Sequence, residues 1–269
     1  MPELPEVETV LTQLEDKIAD VEITDAWSHE SKKFSEAVEL IGASLTQIRR
    51  RGKFLITATD DDRELIVHLG MTGKLRVVVS PTEDKYIRAW WQLEDKQENK
   101  SILEYSDVRR FGRIKVVATG DYSELATLKA MGPEPFDPEL TAEIFWENLK
   151  KSSRYIKTQL LSQKPIAGVG NIYADEALWL SKVNPELKKL TKQQAERLLE
   201  AIQNVLSKGI DNGGTTLRDY RDANGEAGRN QTQLSAYGRA GEPCFRCSTE
   251  LSSTKLDART TTWCKSCQK

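Results

Sequence analysis

Met131-Gly132-Pro133-Glu134-Pro135-Phe136-Asp137-Pro138 separates two halves of different pattern. Each proline lacks an amide donor and has a fixed φ, so three of them in eight residues preclude a regular helix or strand. The stretch reads as a stiff linker and a domain boundary. Upstream, from Val21 to about Val117, the chain runs in short β-type segments: Val21–Trp27, Ser44–Arg50, Lys53–Ala58, Glu64–His68, Lys74–Val79, Ile87–Leu93, Ser101–Tyr105 and Arg113–Val117. Clusters such as Asp60-Asp61-Asp62 separate them, a spacing that predicts an antiparallel sandwich or barrel. A short helix or irregular insert is expected near Phe34–Ile41. Downstream, helical patterns cover Ala142–Lys151, Ser153–Leu161 and Ile172–Lys182, and Thr191 caps a long amphipathic helix to about Ile210.

The expected fold class is therefore α+β. An N-terminal antiparallel β-sandwich with an N-terminal helix is followed by a helical domain that ends in a β-hairpin. The domain bounds read as 1–130, a Pro-rich linker 131–138, a helical domain 139–237 with a mobile polar loop over Arg218–Thr232, and the hairpin 238–269.

The 269 residues suffice for two domains with real cores. No apolar run is long enough to span a bilayer and the first residues are too acidic for a signal peptide, so a cytoplasmic protein with no membrane partner is expected. The formal charge of −2 hides an asymmetry. Residues 1–149 hold 19 Lys/Arg against 29 Asp/Glu, a balance of −10, and residues 150–269 hold 20 against 12, a balance of +8. A basic half suits phosphate binding; scattered solubilising charge gives the same sum.

All four cysteines, Cys244, Cys247, Cys264 and Cys267, lie in the last 26 residues as C-x2-C-x16-C-x2-C. Two such pairs suit four thiolates around one tetrahedral zinc on a small hairpin. Disulfides are the competing reading, disfavoured by tight pairs in an intracellular chain.

At the other end, Pro2-Glu3-Leu4-Pro5-Glu6-Val7-Glu8 opens a helix whose apolar stripe is Val7, Val10, Leu11, Leu14 and Ile18. Removal of Met1 would leave Pro2 as a free secondary amine, a group able to attack a sugar carbon, with carboxylates beside it to move protons. The plain alternative is a proline-containing helix start with Glu favoured by the helix dipole. Two loops, Gly70-Met71-Thr72-Gly73 and Asp107-Val108-Arg109-Arg110-Phe111-Gly112, display residue types that wedge into a base stack, although a lone Met or Phe on a turn is more often core. Gly168-Val169-Gly170-Asn171 feeds a helix N-terminus suited to an anion, or is a tight interhelical turn.

In order along the chain, PELPEVE (Pro2–Glu8), HLGMTG (His68–Gly73), SDVRRFG (Ser106–Gly112), MGPEP (Met131–Pro135), AGVGNIYADE (Ala167–Glu176), GGTT (Gly213–Thr216), YGR-GEPC (Tyr237–Cys244) and the terminal CxxC resemble the bacterial formamidopyrimidine-DNA glycosylases, which share a fold with endonuclease VIII. The resemblance spans Pro2 to Gln268. It implies a base-excision glycosylase and AP lyase acting on oxidised purines, with damaged double-stranded DNA as partner, a helix–two-turn–helix module, one structural Zn2+, no organic cofactor, a monomer, and the bacterial cytosol as location.

Carried over position by position, the resemblance makes Pro2 the nucleophile, Glu3 the acid/base on the sugar, and Glu6 a residue that holds the damaged nucleotide and the site geometry. Lys53 contacts a phosphate near the lesion. Met71, Arg109 and Phe111 fill the gap left by the flipped base, and Arg109 pairs with the orphaned base. Asn171 and Arg259 bind flanking phosphates, and Lys157 and Tyr237 join the DNA-contacting set. Many relatives carry Lys-His-x-His where this chain has Lys85-Tyr86-Ile87-Arg88, so Arg88 stands in for a phosphate-binding histidine. The rival readings are an endonuclease VIII-like enzyme for oxidised pyrimidines, against which Leu4 and the full wedge set count, a non-catalytic DNA-binding module on the same scaffold, and a zinc ribbon fused to an unrelated sheet domain.

Overall fold

Helix α1 (Leu4–Ile18) buries four of the five residues of the stripe expected of it, Val7, Val10, Leu14 and Ile18, together with Leu4, while Leu11 at the stripe's edge is half-buried. Its start is closed by a reciprocal capping box, in which the Glu3 amide donates to Glu6 Oε2 at 2.7 Å and the Glu3 side chain accepts from the Glu6 amide. The computed structural model describes residues 1–269, and the chain divides into two units, Met1–Ala126 with Asn212–Arg229, and Thr127–Asp211 with Asn230–Lys269.

In the first unit α1 is followed by β1 (Val21–Ser28), a 3-10 turn (Ser35–Leu40), β2 (Ser44–Arg51), β3 (Phe54–Thr59), β4 (Arg63–His68), β5 (Gly73–Val78), β6 (Ile87–Glu94), β7 (Lys100–Asp107) and β8 (Arg113–Ala118). All eight expected strands are present, their ends moved by no more than two residues. They form one antiparallel sheet in the order β5-β7-β6-β1-β2-β3-β4-β8. The β1–β2 ladder has two residue pairs, Val21↔Leu45 and Glu22↔Ser44, so the sheet folds over at this thin seam into the two layers of a sandwich. Ile23, Leu45, Leu55, Leu65, Val67, Leu75, Trp91, Leu93, Leu103 and Tyr105 fill the space between the layers and α1. The Trp91 indole N–H, inside that core, donates to Ala37 O at 2.8 Å, as a buried indole must.

The segment Asn212–Arg229, assigned by sequence to the helical domain, packs with the sheet unit instead. Gln13 explains why. Its amide donates to Asp222 Oδ2 at 2.7 Å and accepts from the Ala223 amide at 2.9 Å, while Tyr220 and Ala223 join the sandwich core. The loop expected to be mobile is thus anchored on α1 over Tyr220–Asn224, where Lys17 Nζ adds a bond to Asn224 Oδ1.

The boundary to the second unit falls within the short α2 (Ala126–Lys129), followed by α3 (Ala142–Lys150), α4 (Ile156–Leu161), α5 (Asn171–Leu180), α6 (Lys192–Asp211) and the hairpin β9 (Ser252–Leu256) and β10 (Arg259–Trp263). Thr141 Oγ1 caps α3 and Thr191 caps α6 in a box with Gln194. Helix α4 is shorter than expected because the Gln159 amide binds Arg154 O at 2.8 Å, holding the residues before it out of helix. The proline-rich stretch, expected as a stiff linker, lies within the second unit. Gly132 N bonds Gln163 O, Pro133 O accepts from Ala167 N, and Pro135 O accepts from the Gln203 amide, so it is laced onto the helices.

Candidate functional site

In the sheet unit, Pro2, Glu3 and Glu6 are buried and Met1 is 46% exposed. Glu6 is the junction of this corner. One carboxylate oxygen closes the capping box, and the other accepts from the Thr215 amide at 2.6 Å. Gly214, at φ +83°, lies so close to Glu6 that a Cβ there would sit 2.8 Å from Glu6 Cγ, which explains the glycine in GGTT. The Tyr220 hydroxyl donates to Glu6 O at 3.3 Å, and burial followed by the Glu6 carboxylate pushes this phenol up from its ordinary value. Helix α1 thereby positions the N-terminal residues, two carboxylates and the GGTT turn together.

Lys53, 8% exposed, lies in the turn between β2 and β3, just after Gly52 at φ +56°. His68 at the end of β4 packs against Phe54 with ring centres 4.8 Å apart. Burial first, then the charges of Lys53 and Arg113, bring this imidazole down to about 4. It is therefore neutral at physiological pH, and its Nδ1 accepts from Gly70 N at 3.2 Å. Met71 is half-buried, while Arg109 and Phe111 are exposed, with the Arg109 guanidinium 4.7 Å from the Phe111 ring centre. Arg88 is half-buried and donates from Nε to Asp107 O at 3.0 Å, at the root of that loop.

In the helical unit, the loop before α5 is clamped by Gln163, whose side chain accepts from Gly168 N at 2.8 Å and donates to Val169 O at 2.6 Å. Asn171 opens α5 and its amide reaches Thr260 O at 3.2 Å. Arg259, the first residue of β10, is exposed. Tyr237 is half-buried, its backbone amide donating to Glu176 Oε1 at 2.8 Å alongside those of Ser235 and Ala236.

The expectation that Lys157 touches DNA does not survive. Its side chain has no exposed surface, and its ammonium lies 2.6 Å from Asp175 Oδ1 and donates to Thr260 O and Thr261 Oγ1. An enclosed, paired ammonium cannot reach a phosphate. Asp175 Oδ2 accepts from Thr262 N at 3.0 Å, so the pair instead fastens β10 to α4 and α5. At the chain's end the four cysteine sulfurs all lie within 4.8 Å of one another.

The resemblances of the chain coincide with these elements. The formamidopyrimidine-DNA glycosylase N-terminal domain matches residues 1–114, the H2TH domain of the same enzymes matches 131–221, and a zinc finger found in FPG and IleRS matches 241–269. The formamidopyrimidine-DNA glycosylase of Herpetosiphon aurantiacus is 40% identical, with both chains covered completely. The chain belongs to the formamidopyrimidine-DNA glycosylase family. The crystal structure of the MutM (FPG) protein of Thermus thermophilus superposes with a TM-score of 0.89 at 37% identity, covering 99% of this chain and 98% of that one. That of wild-type Lactococcus lactis Fpg with a DNA containing N7-benzyl-Fapy-dG gives 0.87 at 36%, with both chains covered completely.

This DNA glycosylase thus carries the family's zinc finger, and its thiols fit the ion. Zinc–sulfur bonds of about 2.3 Å in a tetrahedron place sulfurs roughly 3.8 Å apart. Burial first, then the neighbouring sulfurs, pushes Cys267 up to about 12, the crowding that a divalent cation relieves. The Trp179 indole N–H donates to Cys244 Sγ at 3.4 Å, a support that orients one ligand from α5. Four thiolates leave no open position, so the zinc is structural. Sequence reading missed several residues that hold the site residues in place: Thr215, Asp175, Gln163, and above all Asp107 with Thr72. Asp107 stands inside a quoted motif, but nothing in its spacing distinguishes a buried carboxylate from a surface one.

Proposed function

We propose that this glycosylase excises oxidised purines, 8-oxoguanine and formamidopyrimidines, from double-stranded DNA and then nicks the strand, using Pro2 as nucleophile for both steps. The observation that carries the reading is the buried Pro2–Glu3–Glu6 corner, with Glu6 tied to Thr215. With Met1 removed, the Pro2 nitrogen lone pair attacks C1′ and the C1′–N bond breaks, its electron pair leaving with the base, which takes up a proton as the new adduct nitrogen gives up its one N–H proton. Glu3 protonates O4′ as the ring opens, which gives a charged iminium because a secondary amine has no second proton to lose. The iminium acidifies the C2′ proton, whose loss expels the 3′ phosphate. A second elimination expels the 5′ phosphate, and hydrolysis frees Pro2.

Met71, Arg109 and Phe111 occupy the gap left by the flipped nucleotide, whose extrusion costs a few kcal/mol. Lys53, Arg88 and Arg259 pair their charges with phosphates, Asn171 hydrogen-bonds one, and Tyr237 contacts DNA. The reaction draws on no organic cofactor and a single copy of the chain suffices. No helix is long and apolar enough to cross a membrane, and we place the enzyme in the bacterial cytosol with the nucleoid DNA.

Borohydride reduction during turnover tests the chemistry. The expected result is a covalent protein–DNA adduct that peptide mapping assigns to Pro2, in protein whose intact mass shows Met1 absent. An adduct on a lysine, or none, overturns the mechanism. Parallel nicking of duplexes containing 8-oxoguanine opposite cytosine and thymine glycol tests the substrate class, and preference for thymine glycol would favour the pyrimidine enzyme.

A further inference from the structure

The loops that display Met71 and Arg109–Phe111 bridge opposite ends of the strand order: one runs from β4 to β5 and the other from β7 to β8, while β5 pairs β7 and β4 pairs β8. Where they run side by side they meet at Asp107, which has no exposed surface. Its carboxylate accepts from Thr72 Oγ1 at 2.6 Å, Gly112 N at 2.8 Å, Arg109 N at 3.2 Å and the Tyr105 hydroxyl at 3.4 Å. Thr72 Oγ1 also accepts from Arg109 N at 3.0 Å, so one loop's hydroxyl holds the other loop's backbone. The loops touch through glycine. A Cβ on Gly70 would lie 2.4 Å from Gly112 N, and one on Gly112 would lie 1.7 Å from the Tyr105 hydroxyl.

We propose that Asp107 is a positioning residue that joins the Met71 loop and the Arg109–Phe111 loop into one preformed wedge. The proposal rests on the reading above that these side chains fill the gap beside a flipped nucleotide. Donors from both loops converge on one buried carboxylate, so the loops share one set of hydrogen bonds. Neither can shift without leaving a buried donor unpaired, and a wedge that enters a base stack needs that rigidity. Arg88 belongs to the same hub through its bond to Asp107 O. Asp107 touches no reacting atom; it acts through Met71, Arg109 and Phe111.

The test compares a substrate that needs a wedge with one that does not. Single-turnover excision of 8-oxoguanine opposite cytosine is measured in duplex, and nicking of an abasic site in a single strand, where no partner stack has to be held open. Asp107→Asn keeps the shape but sets an amide NH2 against the Gly112 N–H. Thr72→Val removes the bridging hydroxyl, and Thr72→Ser retains it. Both Asp107→Asn and Thr72→Val are expected to slow duplex excision about tenfold, the equivalent of one unpaired buried donor. Single-strand nicking should stay within about twofold of wild type, and Thr72→Ser should restore the duplex rate. Equal loss on both substrates would reduce Asp107 to support of the unit's fold, since Pro2 lies in the same unit. An unchanged duplex rate in Thr72→Val would overturn the shared hub even if Asp107→Asn failed to fold.

Discussion

The sheet unit and the helical unit both hold loops still with buried carboxylates, but the helical unit adds a fully buried ion pair. In the sheet unit Glu6 and Asp107 are buried carboxylates satisfied by neutral donors, mostly backbone amides of the loops they organise. In the helical unit Glu176 gathers the amides of Ser235, Ala236 and Tyr237 in the same way, but β10 is held by a buried ion pair, Lys157–Asp175, whose remaining hydrogen-bonding capacity goes to that strand. A carboxylate that gathers amides ties loop conformation directly to burial. An ion pair incurs the desolvation cost twice, and burial pushes Asp175 up to about 6 in spite of its partner. What the pair supplies in return is register: Thr260, Thr261 and Thr262 are held one after another, which sets where Arg259 begins.

The largest effect expected of this contrast is on stability. Lys157→Met strands a buried carboxylate and should destabilise the helical unit by about 3–5 kcal/mol, whereas Lys157→Met with Asp175→Leu should recover most of that loss. Hydrogen exchange measured with urea reports the two units separately. A loss that spreads equally through the sheet unit, or a double variant no better than the single, would break the comparison.

Acid should separate the units further. His68 in the sheet unit has its folded value lowered from 6.5 to about 4, so the unfolded chain takes up the proton first as pH falls. Its contribution, on the order of 3 kcal/mol, is complete above the unfolded value and lost as pH falls through the folded one. Asp175 runs the other way. Its folded value is raised from 3.8 to about 6, so its contribution is present below 3.8 and lost as pH rises through 6. Lowering pH from 6.5 to 4 should thus speed exchange in the strands around His68 and not around Asp175, and His68→Gln should flatten the first profile.

The smallest effect sharpens the role of β10. Arg259→Ala should lower the salt slope of DNA binding by about one unit and weaken all duplexes alike. An unchanged slope would mean that the register set by Lys157 and Asp175 serves the finger's fold alone.

How much of this is legible in the sequence depends on the range of the interaction. The strands and α1 can be read because alternation and a three-to-four-residue stripe are local consequences of burying one face. Lys157 defeats such reading for the opposite reason. A lysine followed by Thr158 and Gln159 looks solvated, and its burial needs Thr260, 103 residues away. The segment after Asn212 looks like the tail of a helical domain, although Asp222, its anchor point, is held by Gln13 from 209 residues away.

The amino-acid sequence by itself determined the α+β class, the order of elements, the family and the four-thiolate zinc site. Each of these follows from periodicity, from motifs in register or from the valence of a closely spaced donor set. Tertiary structure alone decided that Lys157 is enclosed, that Glu6 meets Thr215, that Asn212–Arg229 belongs to the sheet unit, and that Asp107 joins two loops. These are long-range pairings of polar groups. Their favourable partners exist only once the backbone has brought distant segments together and excluded water from between them.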